Sequence, residues 1–285
     1  MKLCADCLKG KRLPGTPGGD MLKIGVTDCY YARASDAVRT PAAEKSAILV
    51  FTDIFGLPLP NPKIMADGFA MEIGVDVYVP DLFAGHPPIR EEDLLPYDHT
   101  EIGVKPPLWK NLGYTWQVLK SMPNMMTTGS RPSAAGRMIT FVENLKKEKG
   151  VEKLGVVGEA HTSWLVGGVI ADLMPYHLFS SAVICHPGDF DHKLVDEINF
   201  PTSWVTCEED AFFSPTSTED VNERLARRNQ QLREQGKEAP EYEMKRYMGT
   251  RHGFACRPAL EVEAVRNAWE GAWEQTVRWF KKTLL

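Results

Sequence analysis

LGVVGEAHTSWLVGG, residues Leu154 to Gly168, joins a short apolar run to a tight turn and then to an apolar helical pattern. Leu154, Val156 and Val157 read as a buried strand, Gly158 permits the turn, and Trp164, Leu165 and Val166 open a helix whose glycines let it lie close on a sheet. A strand that turns sharply into a helix is the shape of a nucleophile elbow, which holds a Ser or Cys at a strained, exposed tip. Here the tip is Ala160, which has no nucleophilic atom. An ordinary strand-to-helix turn in a parallel sheet has the same pattern, so the surrounding chain has to decide.

Upstream, Ala47 to Thr52 (AILVFT) is a continuous apolar run of the kind buried on both faces of a parallel sheet, and it ends at Asp53-Ile54-Phe55-Gly56. Asn61 to Ile73 has helical spacing with Ile64, Met65, Phe69 and Ile73 on one face, and Val75 to Val79 supplies the next strand, which predicts a right-handed parallel crossover. Leu22 to Val26 and Cys29 to Ala32 read as short edge strands after an irregular arm. From Gly85 to Arg131 periodicity is lost. That stretch holds six prolines, Trp109, Tyr114, Trp116 and the group Met122, Met125 and Met126, and it is expected to be a partly helical cap lining a pocket. Ser133 to Lys149 is a predicted helix with a basic end. Downstream, Ser181 to Pro187 and Thr202 to Asp210 read as strands, Thr218 to Gln235 as a charged solvent-facing helix, Tyr242 to Met248 as a strand, and Ala259 to Leu285 as a long amphipathic helix. The sum is a single α/β domain over residues 1–285: a mostly parallel sheet with helices on both faces and its chemistry at the carboxyl ends of the strands.

A chain of 285 residues with a net charge of −5 and evenly spread basic residues carries no nucleic-acid footprint. Its longest apolar runs are too short to cross a bilayer and its N-terminus lacks a signal-like apolar core, so no membrane partner and a cytoplasmic location are expected. The six cysteines suit reduced thiols better than a disulfide framework. Cys4 and Cys7 form a C-x-x-C without a second ligand pair at zinc-like spacing, so no metal is expected there.

Three positions line up along this frame. Ala160 follows one strand, Asp210 a later one, and His252 the last, which is the chain order nucleophile, acid, histidine of the α/β-hydrolase triad. In such a triad the imidazole takes the nucleophile's proton, and the carboxylate fixes its tautomer and stabilises the imidazolium. Thr162 and Ser163 fit better as caps of the helix start than as replacement nucleophiles. Cys207 and Cys256 lack the exposure that an elbow provides.

The chain resembles the dienelactone hydrolase family, in particular its fungal members. The resemblance rests on the Cys4-x-x-Cys7 arm with Gly15-Thr16-Pro17, Thr52–Gly56 (TDIFG), Val79–Gly85 (VPDLFAG), Cys185-His186-Pro187, Glu208–Asp210 (EED) and His252–Pro258 (HGFACRP), in that order. It implies an α/β-hydrolase fold in which a cysteine thiolate attacks an ester or lactone carbonyl without metal or cofactor. It further implies His252 as base, Asp210 as its orienting acid, Asp53 as an acid near the nucleophile, and the N–H groups of Ile54 and His161 as the oxyanion hole. Arg257 is a candidate for holding a substrate carboxylate, with a surface salt bridge as its other reading. Glu159, Trp109 and Trp116 are further candidate substrate contacts, and Glu159 and His161, flanking the tip, are placed to supply a proton.

The departure is at the centre. The family elbow reads close to Gly-x-Cys-x-Gly-Gly, whereas Gly158 to Ser163 reads GEAHTS. Either a Cys or Ser was replaced to stop turnover, or the chain naturally lacks a nucleophile; the retention of His252, Asp210 and Asp53 favours the first. Three functions follow as expectations. The leading one is hydrolysis of a lactone, ester or thioester of a small to medium apolar compound. The second is non-hydrolytic acid–base chemistry (lactone rearrangement, cyclisation or C–C cleavage) in a biosynthetic pathway, and the third is ligand binding without turnover. The expected partner is a small-molecule substrate, and a homodimer is compatible with the sequence.

Overall fold

The computed structural model describes residues 11–94, 107–127, 130–159, 173, 176–188, 190–210 and 212–285. The Cys4–Cys7 arm, Ala160, His161, Thr162, Ser163 and the predicted elbow helix lie outside the described residues.

Among the described residues eight strands form one sheet: β1 (Asp20–Ile24), β2 (Thr27–Ala32), β3 (Ser46–Phe51), β4 (Asp76–Pro80), β5 (Lys153–Glu159), β6 (Ser181–Cys185), β7 (Thr202–Glu209) and β8 (Tyr242–Arg251). Their spatial order is β1-β2-β4-β3-β5-β6-β7-β8. The β1–β2 and β2–β4 pairs are antiparallel, and the pairs from β4 to β8 are parallel. The apolar run at β3 is buried at all six positions, as a strand covered on both faces requires.

Among the described residues the α-helices are α1 (Asn61–Ile73), α2 (Glu91–Leu94), α3 (Leu108–Met126), α4 (Arg131–Lys149), α5 (Pro215–Glu234) and α6 (Glu263–Leu284). Alternation of side chains along the strands splits the core in two. Ile48, Val50, Val157, Val183 and Val205 point to one face and pack with Met65, Phe69 and Ile73 of α1 and with Ala268, Ala272 and Phe280 of α6. Leu49, Phe51, Val156, Ile184 and Trp204 point to the other and pack with Met138, Phe141 and Val142 of α4 and with Val221 and Leu225 of α5. At the end of α1, Gly74 takes φ of 82° and turns the chain into β4; a Cβ there would stand 2.6 Å from the Val38 carbonyl oxygen.

The stretch from 85 to 131, expected to be partly helical, contains the 19-residue α3, whose Leu108, Trp109, Leu112, Trp116 and Leu119 face solvent. Two expectations are corrected. The C-terminal helix begins at Glu263 rather than Ala259, and Trp279 joins its buried face. Helix α5 is less solvent-facing than its charge suggests: Arg228 is buried, donating to the carbonyls of Val195 (3.1 Å) and Ile198 (2.8 Å). Among the described residues no helix is long and apolar enough to cross a membrane.

Candidate active site

After β3 the chain crosses outward to β4, and β5 then pairs on the opposite side of β3, so the strand order reverses between β3 and β5. Sheets of this kind open a crevice at the carboxyl ends of the strands flanking such a reversal. Asp53 follows β3, Glu159 ends β5, His186 follows β6, Asp210 follows β7 and His252 follows β8. The parallel register therefore brings residues from distant parts of the chain to one edge.

Asp210 and His252 meet there. His252 Nδ1 lies 2.8 Å from Asp210 Oδ2, with both side chains buried. The other carboxylate oxygen, Oδ1, accepts the N–H groups of Phe212 (2.8 Å) and Phe213 (3.0 Å), and the Cys207 thiol donates to Oδ2 at 3.2 Å. Burial raises the Asp210 carboxyl, but the hydrogen bond and charge of His252 and the N–H groups of Phe213 and Phe212 outweigh it, leaving the pKa below the usual carboxylate value. A carboxylate so held can fix the His252 tautomer and balance an imidazolium. The register shift between Cys207 and Glu209 pairs Glu209 with Arg251 and so sets Asp210 beside His252.

Asp53 has no exposed surface. Its Oδ1 accepts the Phe55 N–H at 2.9 Å, an Asx-type turn that also closes β4 at Asp81, whose Oδ1 accepts from Phe83 at 2.9 Å. Arg257 Nε stands 3.3 Å from Asp53 Oδ2, and the guanidinium lies 4.5 Å over the Phe55 ring. The salt bridge of Arg257 is thus buried, not at the surface. Burial lifts the Asp53 carboxyl to about 6, against the pull of the Arg257 charge and the Phe55 N–H, with nearby Glu91 adding to the rise.

Ile54, a proposed oxyanion donor, is buried directly after Asp53. Its companion His161 and the tip Ala160 lie outside the described residues, and Glu159 is placed by its backbone alone, paired with Cys185. Trp109 and Trp116 are 60% and 66% exposed on α3. A cleft of about 300 Å³ opens beside Phe55, bounded by Leu59, Pro87 and the Arg12–Glu91 ion pair.

Two residues outside the candidate site set stand beside the Asp210–His252 pair. Cys207 reads in sequence as an apolar strand position and donates to the Asp210 carboxylate. His186, fully buried, has its ring 5.1 Å from that of His252. The signal available for it was a His before Pro at a strand's carboxyl end.

The comparisons with known proteins agree with this architecture. Residues 34–284 match the dienelactone hydrolase family. The hydrolase pyvD of Aspergillus violaceofuscus is 27% identical, covering 98% of this chain and 96% of its own length. The hydrolase tropI of Talaromyces stipitatus is 26% identical over 97% of this chain and 94% of its own. Among solved structures, a candidate dienelactone hydrolase from Klebsiella pneumoniae superposes with a TM-score of 0.60 at 14% identity, covering 95% of this chain and 96% of that one, a likeness of fold. With the match spanning nearly the whole chain, and the sheet and helix layers of a hydrolase beneath it, the chain belongs to the dienelactone hydrolase family.

Proposed function

We propose that this site is built to hydrolyse a lactone, ester or thioester of a small to medium apolar compound, with His252 as general base, Asp210 as its orienting acid, and a nucleophile at the position Ala160 now occupies. The observation that carries the reading is the buried 2.8 Å contact between His252 Nδ1 and Asp210 Oδ2 at adjoining strand ends. With a thiol at 160, the His252 imidazole takes its proton and the thiolate attacks the carbonyl carbon. The Ile54 and His161 N–H groups receive the developing oxyanion. Collapse expels the alkoxide or thiolate, which takes the proton from the imidazolium, and water activated by His252 then releases the acid. Ala160 withholds the first step, so the chain as it stands binds without turning over by this route. Ala160→Cys is expected to create hydrolysis of a panel of small apolar esters and lactones that His252→Gln abolishes. A variant inert toward the whole panel contradicts the reading.

A second reading has its own support in Asp53. A buried carboxyl lifted to about 6 holds and releases a proton near neutral pH, which suits acid–base chemistry without a covalent intermediate. Turnover of a substrate by the Ala160 chain, lost in Asp53→Asn, would favour it over hydrolysis.

A further inference from the structure

His186 has no exposed surface and a backbone φ of 34°, in the left-handed region that a non-glycine side chain avoids. Such a conformation persists only where the surroundings impose it. Here its N–H donates to the Val205 carbonyl at 2.6 Å, and Pro187 follows. The ring so aimed accepts the Ala255 N–H at Nε2, at 3.3 Å. Its centroid lies 5.1 Å from that of His252 and 5.8 Å from that of Phe254.

Ala255 belongs to the tight turn that carries His252 away from β8. The N–H groups of Cys256 (3.2 Å) and Arg257 (3.0 Å) both return to the Gly253 carbonyl, and that of Phe254 to Arg251 at 3.2 Å. The turn therefore folds on itself and is tied to the sheet's interior through the His186 ring. We propose that His186 is a positioning residue: by accepting the Ala255 N–H it sets where the His252 imidazole stands, while Asp210 fixes the edge at Nδ1. Accepting at Nε2 requires that nitrogen to be bare, so the neutral His186 ring carries its proton on Nδ1. His186 acts through the turn and not on the substrate. A displacement of His252 of about 1 Å costs roughly 10²-fold in rate.

This inference rests on the hydrolytic reading of His252, and its test separates the two. In the full chain carrying Ala160→Cys, His186→Phe fills the volume without an acceptor and His186→Gln retains one. The expected result is a kcat at least tenfold lower in His186→Phe with KM within twofold, and recovery to within threefold of the parent rate in His186→Gln. Equal kcat in all three overturns the proposal. Against a phenylalanine variant that does not fold, ring ¹⁵N–¹H correlation spectra of the unsubstituted chain give a second measurement: His186 is expected to show a bare Nε2 and a protonated Nδ1, and a protonated Nε2 in the neutral ring overturns the proposal. An Ala160→Cys chain with no esterase activity would sink the hydrolytic reading, while the ring tautomer would still decide for or against the tie to Ala255.

Discussion

Asp53 and Asp210 are both carboxylates at strand ends, yet their surroundings drive them in opposite directions. Asp210 collects donors and is held ionised; Asp53 is buried with one cation and one N–H, and titrates near 6. The sign of the effect on stability follows from proton counting. The unfolded Asp53 releases its proton near 3.8 and the folded one near 6, so between these values the folded state binds more protons and stability falls as pH rises. Two pH units correspond to about 3 kcal/mol at most. Denaturant unfolding from pH 3.8 to 6.5 is expected to show this loss in the parent relative to Asp53→Asn, whose profile lacks that component. A parallel pair of profiles would mean that Asp53 titrates alike in both states. Arg257 shows what sequence could not supply at this scale. It reads as a substrate ligand or a surface cation, because nothing local says that residue 257 meets residue 53; only the assembled sheet brings the two together.

At the scale of elements, legibility followed burial. β3, β5 and β6 were readable because strands covered on both faces are nearly continuous apolar runs, and α1 because one face repeats at helical spacing. Helix α3 was legible only as part of a partly helical stretch, since its Leu108, Trp109, Leu112, Trp116 and Leu119 face solvent and Pro123 lies within it. Arg228 in α5 was missed for a related reason: a long cation on a charged helix reads as surface unless one knows that two carbonyls await it. The turn from α1 into β4 gives a prediction at this scale. In Gly74→Ala the new Cβ meets backbone, the Val38 carbonyl, at a φ of 82°. The cost is about 1–3 kcal/mol, measurable as a lower denaturation midpoint with an unchanged m-value. An unaltered midpoint would show that the turn relaxes freely.

Across the whole molecule, the start of the described chain and the turn after β8 converge on one side chain. Asn61, fully buried at the start of α1, accepts the Leu13 N–H (2.9 Å) and donates to the carbonyls of Lys11 (2.9 Å) and Cys256 (2.8 Å). It thereby joins the N-terminal arm to the turn that bears His252. Asn61→Ala would leave buried backbone groups unpaired at a cost of about 2–3 kcal/mol, with faster amide exchange in both the arm and the 253–257 turn; faster exchange in the arm alone would contradict the link.

The same convergence of strand ends bears on whether position 160 faces an activating histidine, and thiol chemistry reads that directly. The four described cysteines are buried, and burial pushes Cys29 up to about 12, so they contribute little background reactivity. The rate of iodoacetamide alkylation is measured against pH in Ala160→Cys, in Ala160→Cys combined with His252→Gln, and in the unsubstituted chain as the blank. The expected result is an inflection for the introduced thiol well below the free-thiol value of about 8.5, which moves up toward it when His252 is removed. Identical profiles near 8.5 with and without His252 would contradict a nucleophile site served by the Asp210–His252 pair.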